Sequence, residues 1–152
     1  MSGEKWREIL EFVGITTIVA SLVLVAYELR QATAQSAAEA IYQTNVGLDS
    51  AYRARSQDPV LAQLIIDGHA NPDALTDLEH DQFGAWLRAD LNIAEATWVF
   101  YENGLYPEWA FDGTKAGICS RVITEGGRQF WEEQGQYFAS IFRERIDEWC
   151  FQ

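Results

Sequence analysis

Lysine is almost missing from this chain. Lys5 and Lys115 are the only two in 152 residues, and 11 Lys and Arg face 23 Asp and Glu, a net charge of −12. A surface this acidic repels phosphate backbones, which argues against nucleic acid as a partner. From Gln31 onward 8 basic residues stand against 19 acidic ones, so the same part of the chain is also repelled by anionic headgroups. A protein adapted to a salty habitat would share this composition. Histidine is as scarce, with His69 and His80 alone. Asp77 and His80 have the i, i+3 spacing that can hold a metal, but a ferritin-like centre needs a second such motif, which His69 in "DGHANPD" does not supply. No G-x-S-x-G elbow and no glycine-rich phosphate loop occurs, so neither a serine hydrolase nor a nucleotide-binding reading has a motif to rest on. Period-2 alternation is absent too, and the expected fold class is all-α: an N-terminal transmembrane helix continuing as a long stalk into a small helical bundle.

What is present begins with an apolar run. Phe12 to Tyr27 holds 16 residues without a charge. With Ile9, Leu10 and Leu29 the segment reaches about 31 Å as a helix, the thickness of a bilayer core. Its strong hydrophobes favour insertion by roughly −4 to −7 kcal/mol, while Glu11, Glu28 and Arg30 fall at the ends where charges can snorkel. Trp6 with Lys5 and Arg7, and Tyr27 with Arg30, stand where anchors meet the headgroups. Residues 1–31 therefore read as a membrane anchor with a short flank. A signal peptide is the competing reading, since Ala32-Thr33-Ala34 matches an A-x-A site, although Glu28 and Arg30 interrupt the run before it. Gly14, Thr17 and Ser21, with Glu28 beyond them, share one side of the helix and form a candidate helix-association face. Lys5 and Arg7 bias the N-terminus to the cytoplasm and the C-terminal domain to the periplasm.

Residues 32–152 read as an acidic α-helical domain. No Gly or Pro interrupts Leu29 to Gly47, so residues 32–56 continue the helix as a stalk, with Ala34, Ala37, Ile41, Leu48 and Tyr52 on its packing face. Asp58-Pro59 opens a second helix that Gly68 stops. Asn71 to Asp73 is a turn, and Thr76 to Glu79 is a capping box that starts the longest helix of the domain. A fourth segment runs from Pro107 until Gly126-Gly127 ends it, and two last helices follow, the second capped by Ser140. Trp86, Trp98, Trp109, Trp131 and Trp149 are assigned to the core.

Arg88 and Glu95 lie seven apart on the long helix, with Asp90 and Glu102 nearby. Buried charges need partners, so these two form a structural ion pair or, alternatively, a polar site for a ligand. Cys119 and Cys150 are an even pair in distant segments: a disulfide if the domain is exported, ordinary buried thiols if it is cytoplasmic.

The succession "LVLVAYELRQATAQSAAEA", "DPVLAQLIIDG", "FGAWLRADLNIAEATWVFYENGLY", "GGRQFWEEQGQYF" and "FRERIDEW" resembles a widespread family of uncharacterised bacterial proteins with one N-terminal transmembrane helix and a C-terminal α-helical domain. The likeness covers nearly the whole chain. It includes a "YLavQIRQNT"-like junction, here Tyr27-Glu28-Leu29-Arg30-Gln31, with Glu28 where the pattern has Gln and Ala32-Thr33 in place of its last two residues. The resemblance implies an architecture and a bacterial inner membrane, with no activity, cofactor or metal attached. The resulting expectation is a non-enzymatic single-pass membrane protein, an accessory subunit, assembly factor or scaffold with a protein partner or a homo-oligomeric state. The alternative is a membrane-tethered enzyme or small-ligand sensor using a polar site on the long middle helix.

Overall fold

A computed structural model describes Gly3–Gln152, except for the side chains of residues 3–5, 8 and 9; the roles expected of Lys5 and Ile9 lie outside the described side chains. The described residues are helical and contain no strand: α1 (Gly3–Gln57), α2 (Pro59–Ala70), α3 (Asp77–Glu102), α4 (Glu108–Val122), α5 (Glu125–Gln134) and α6 (Ser140–Cys150), with single 3-10 turns at Pro72–Ala74 and Gly135–Tyr137. The chain divides into two units, Met1–Ser36 and Ala37–Gln152.

In the first unit, α1 is long and apolar enough to cross a membrane, and none of its most apolar window is buried. The hydroxyls in this stretch are satisfied within the helix. Thr16 donates to the Phe12 carbonyl at 2.8 Å, Thr17 to Val13 at 2.8 Å and Ser21 to Thr17 at 2.9 Å, so none requires a partner outside the helix to lie in hydrocarbon. Gly14 has open space around it.

In the second unit α3 is central, packing on α2, α4 and α5, while α4 also meets α5 and α6. The core is built from Leu87, Leu91, Ala94 and Trp98 of α3 with Phe111, Ile118 and Val122 of α4, Phe130 and Trp131 of α5, and Phe142 and Ile146 of α6. Aromatic contacts join these layers: Tyr101 stacks on Phe111 at 4.3 Å, and Phe111 meets Trp149 edge-on at 5.5 Å. Trp109, assigned to the core from sequence, is instead 79% exposed at the start of α4.

Local signals set most helix ends. The Asp58 side chain accepts from the amides of Val60 and Leu61, and Pro59 occupies the first turn of α2. Thr76 and Glu79 form the reciprocal capping box of α3. At its other end Gly104 takes a left-handed φ of +68°, and bonds from Gly104 to Tyr101 and from Leu105 to Phe100 close a Schellman turn.

Four expectations are corrected. Gly68 does not stop α2, which runs to Ala70; the Phe83 ring lies where its Cβ would be. Gly126 and Gly127 sit inside the first turn of α5, which Thr124 caps, and side chains there would meet the carbonyls of Gly68 and Arg121. These glycines permit close approach rather than end a helix. Ser140 opens α6 but gives it no side-chain cap. On α1 the buried face of the domain portion centres on Ala40 and Thr44, with Ala34 and Tyr52 exposed.

Candidate functional site

Thr44, Leu48 and Tyr52 of α1, one face of α3 from Asp90 through Ile93 and Ala94 to Thr97, and the facing side of α4 through Gly117 and Arg121 line a partly open cavity of about 230 Å³. Its polar wall is an ion pair. Arg121 donates from Nη1 to Asp90 Oδ2 at 2.6 Å, with the Asp90 side chain 4% exposed and the Arg121 side chain 22%. Burial pushes the Asp90 carboxyl above its ordinary range, and the Arg121 charge and hydrogen bond oppose that shift. Arg121 can reach because helical side chains lean toward the N-terminus. Its Nη1 lies 3.9 Å from where a Cβ on Gly117 would stand.

A second polar contact closes the α1 side. Thr97 donates its hydroxyl proton to the Ile93 carbonyl at 2.7 Å, so in the buried 3.2 Å contact between Thr44 and Thr97 it is Thr44 that donates. Gly47 packs one turn on, where a Cβ would stand 3.3 Å from Ile93.

Behind Arg121 lies His69. Its Nδ1 is 2.9 Å from Thr124 Oγ1. That hydroxyl already donates to the Arg121 carbonyl and accepts from the Gly127 amide, which makes His69 Nδ1 the donor. Its ring meets Phe83 and Trp86 edge-on at 5.1 and 5.7 Å. Burial, then the charges of Arg121 and Arg55, lower its pKa to about 4.

Arg88 and Glu95 do not pair with each other. Seven residues separate them by two helical turns, about 10 Å, beyond the reach of an ion pair. Arg88 instead donates to the Gln134 side chain and lies over the Tyr137 ring, 5.0 Å from its centre. Glu95 Oε1 accepts from the Ala139 amide at 2.8 Å. Both tie α3 to the α5–α6 connection. Cys119 and Cys150 are joined by a disulfide, with Cα atoms 4.9 Å apart, linking α4 to the end of α6. Glu102 is exposed at the end of α3, and His80 is half-buried in its first turn with Asp77 exposed beside it. Among the described residues no three His, Cys, Asp or Glu side chains converge as a metal site would require.

Sequence reasoning noted Asp90 but missed Arg121, Thr44 and Thr97. The available signal was Gly113, Gly117 and Arg121 at four-residue spacing on one helix face, a stripe that is neither apolar nor exposed-polar in the usual pattern. No family model matches the chain, and no curated protein or solved structure matches it.

Proposed function

We propose that this chain is a single-pass protein of the bacterial inner membrane, akin to the family it resembles, and that its acidic helical domain acts by protein contact, as an accessory subunit, assembly factor or scaffold of a membrane complex. The observation that carries the reading is the unburied stretch of α1. Leu10, Phe12, Ile15, Ile18, Leu22, Val23 and Leu24 are each between 58% and 72% exposed, an apolar surface far larger than a water-soluble monomer leaves bare. Lipid is its natural solvent. The domain leaves further apolar side chains outward, among them Val60, Leu78 and Trp109, which suits contact with another protein.

The disulfide supports the orientation with the N-terminus in the cytoplasm and the domain in the periplasm. Disulfides persist in oxidising compartments, and the short basic flank favours the same sense. Arg88 and Glu95 each give one hydrogen bond that ties α3 to the α5–α6 connection, which favours their structural role over a tethered enzyme or sensor built on them.

Gentle detergent extraction from the native membrane, followed by the mass and composition of the complex, tests the proposal. Co-purifying proteins or a homo-oligomer support it, and a monomer overturns it. Sequencing the mature N-terminus checks the anchor separately: a chain beginning after Ala34 would make the apolar segment a signal peptide. Thiol labelling in intact membranes without reductant checks the topology, since a domain with reactive Cys119 and Cys150 would be cytoplasmic.

A further inference from the structure

The cavity is costly to keep open. Gly113 and Gly117 sit in the interior of α4, where each glycine is unfavourable relative to alanine. Close packing explains Gly68 and Gly126, whose missing side chains would strike Phe83 and Gly68. Nothing of that kind explains the cavity pair: a Cβ on Gly113 meets no atom within 4 Å, and one on Gly117 meets only Arg121 Nη1 at 3.9 Å. Both line the cavity, Gly117 half-buried and Gly113 exposed at its rim.

The ion pair is also incompletely used. Arg121 gives a single N–H to Asp90, and Asp90 Oδ1 accepts no hydrogen bond among the described residues. One end of the space therefore offers a guanidinium with spare donors beside a carboxylate with a spare acceptor. The remaining wall is largely apolar, from Leu48, Ile93 and Ile118.

We propose that this cavity binds a small aliphatic α-amino acid, its carboxylate on Arg121, its ammonium on Asp90, and its side chain against Leu48, Ile93 and Ile118. The two ends of such a zwitterion match the two ends of the pair. A simple anion would meet the Asp90 carboxylate and the acidic domain, and a simple cation would meet Arg121. The volume of about 230 Å³ accommodates a ligand the size of leucine. The site stands whether or not the chain has protein partners, and it moves the ligand reading from Arg88 and Glu95 to Asp90 and Arg121.

Titration calorimetry on the full chain in detergent, with L-leucine, isocaproate and isopentylamine as probes, tests this. Leucine is expected to bind one per chain, and each analogue, lacking one charged end, to bind about tenfold more weakly or worse. No binding by leucine, or analogues equal to it, overturns the proposal. Gly117→Leu should fill the cavity beside Arg121, keep the helical circular dichroism and abolish leucine binding; a folded Gly117→Leu that binds leucine as before places the ligand elsewhere and overturns the site. Should that variant not fold, Asp90→Asn decides. It keeps the side-chain shape and should weaken leucine about tenfold while leaving isocaproate unaffected or tighter, and unchanged leucine affinity overturns the assignment.

Discussion

The Glu95 carboxylate on α3 accepts a hydrogen bond from the Ala139 amide at the N-terminal end of α6, at 2.8 Å. A long-range side chain thus does what a local cap residue ordinarily does, and it brings a negative charge to the positive end of the helix dipole. Glu95→Ala should cost about 1 kcal/mol in urea unfolding. Glu95→Gln, which keeps an acceptor but not the charge, should cost less; equal losses for the two would mean that the charge alone matters.

Removing Arg121 would leave Asp90 buried without its partner. Arg121→Met is expected to destabilise by about 3 kcal/mol, the lower end for a broken buried pair because the guanidinium is partly exposed. The double variant with Asp90→Asn should recover much of that loss. A double variant no more stable than Arg121→Met would show that packing of the arginine stem, not the orphaned charge, was the cost.

His69 sets a pH dependence. Its folded pKa of about 4 lies below the ordinary 6.5, so as pH falls below about 6.5 the unfolded chain takes up a proton that the folded chain refuses. Stability from this group is complete above that pH and declines until the folded form also protonates near 4. The melting temperature should therefore fall between about pH 7 and pH 5, and less so in His69→Gln, which cannot charge but can still donate to Thr124. Identical slopes for the two would assign the dependence to carboxylates instead.

The glycines divide into two kinds with opposite expected outcomes. Gly126→Ala drives a methyl into the Gly68 carbonyl and should cost several kcal/mol, at least about 2, or prevent folding. Gly113→Ala meets nothing and should stabilise by up to about 1 kcal/mol. Thermal melts of both variants side by side check the contrast.

Features that depend on neighbours in sequence were legible before the structure. Asp58-Pro59 and the Thr76 to Glu79 capping box announce α2 and α3 because the capping atoms lie within three residues of the amides they serve. What failed was whatever depends on a neighbour in space. Gly68 and Gly126 look like helix stops, yet they are crossing points whose reason is Phe83 and a backbone carbonyl from another helix. Arg88 and Glu95 look like a pair on one face, yet each is matched by a group more than forty residues away. The cavity is harder still to read. It is lined by a half-buried glycine, Gly117, and by a charge pair whose halves lie on different helices.

The bond between Cys119 and Cys150 reaches further than the two helices it joins. With α6 fastened to α4 near its last residue, the final helix cannot peel away by itself, and the two should open to hydrogen exchange as one cooperative block. Because α4 is also a wall of the cavity, the last residues of the chain are bolted to the helix that shapes it.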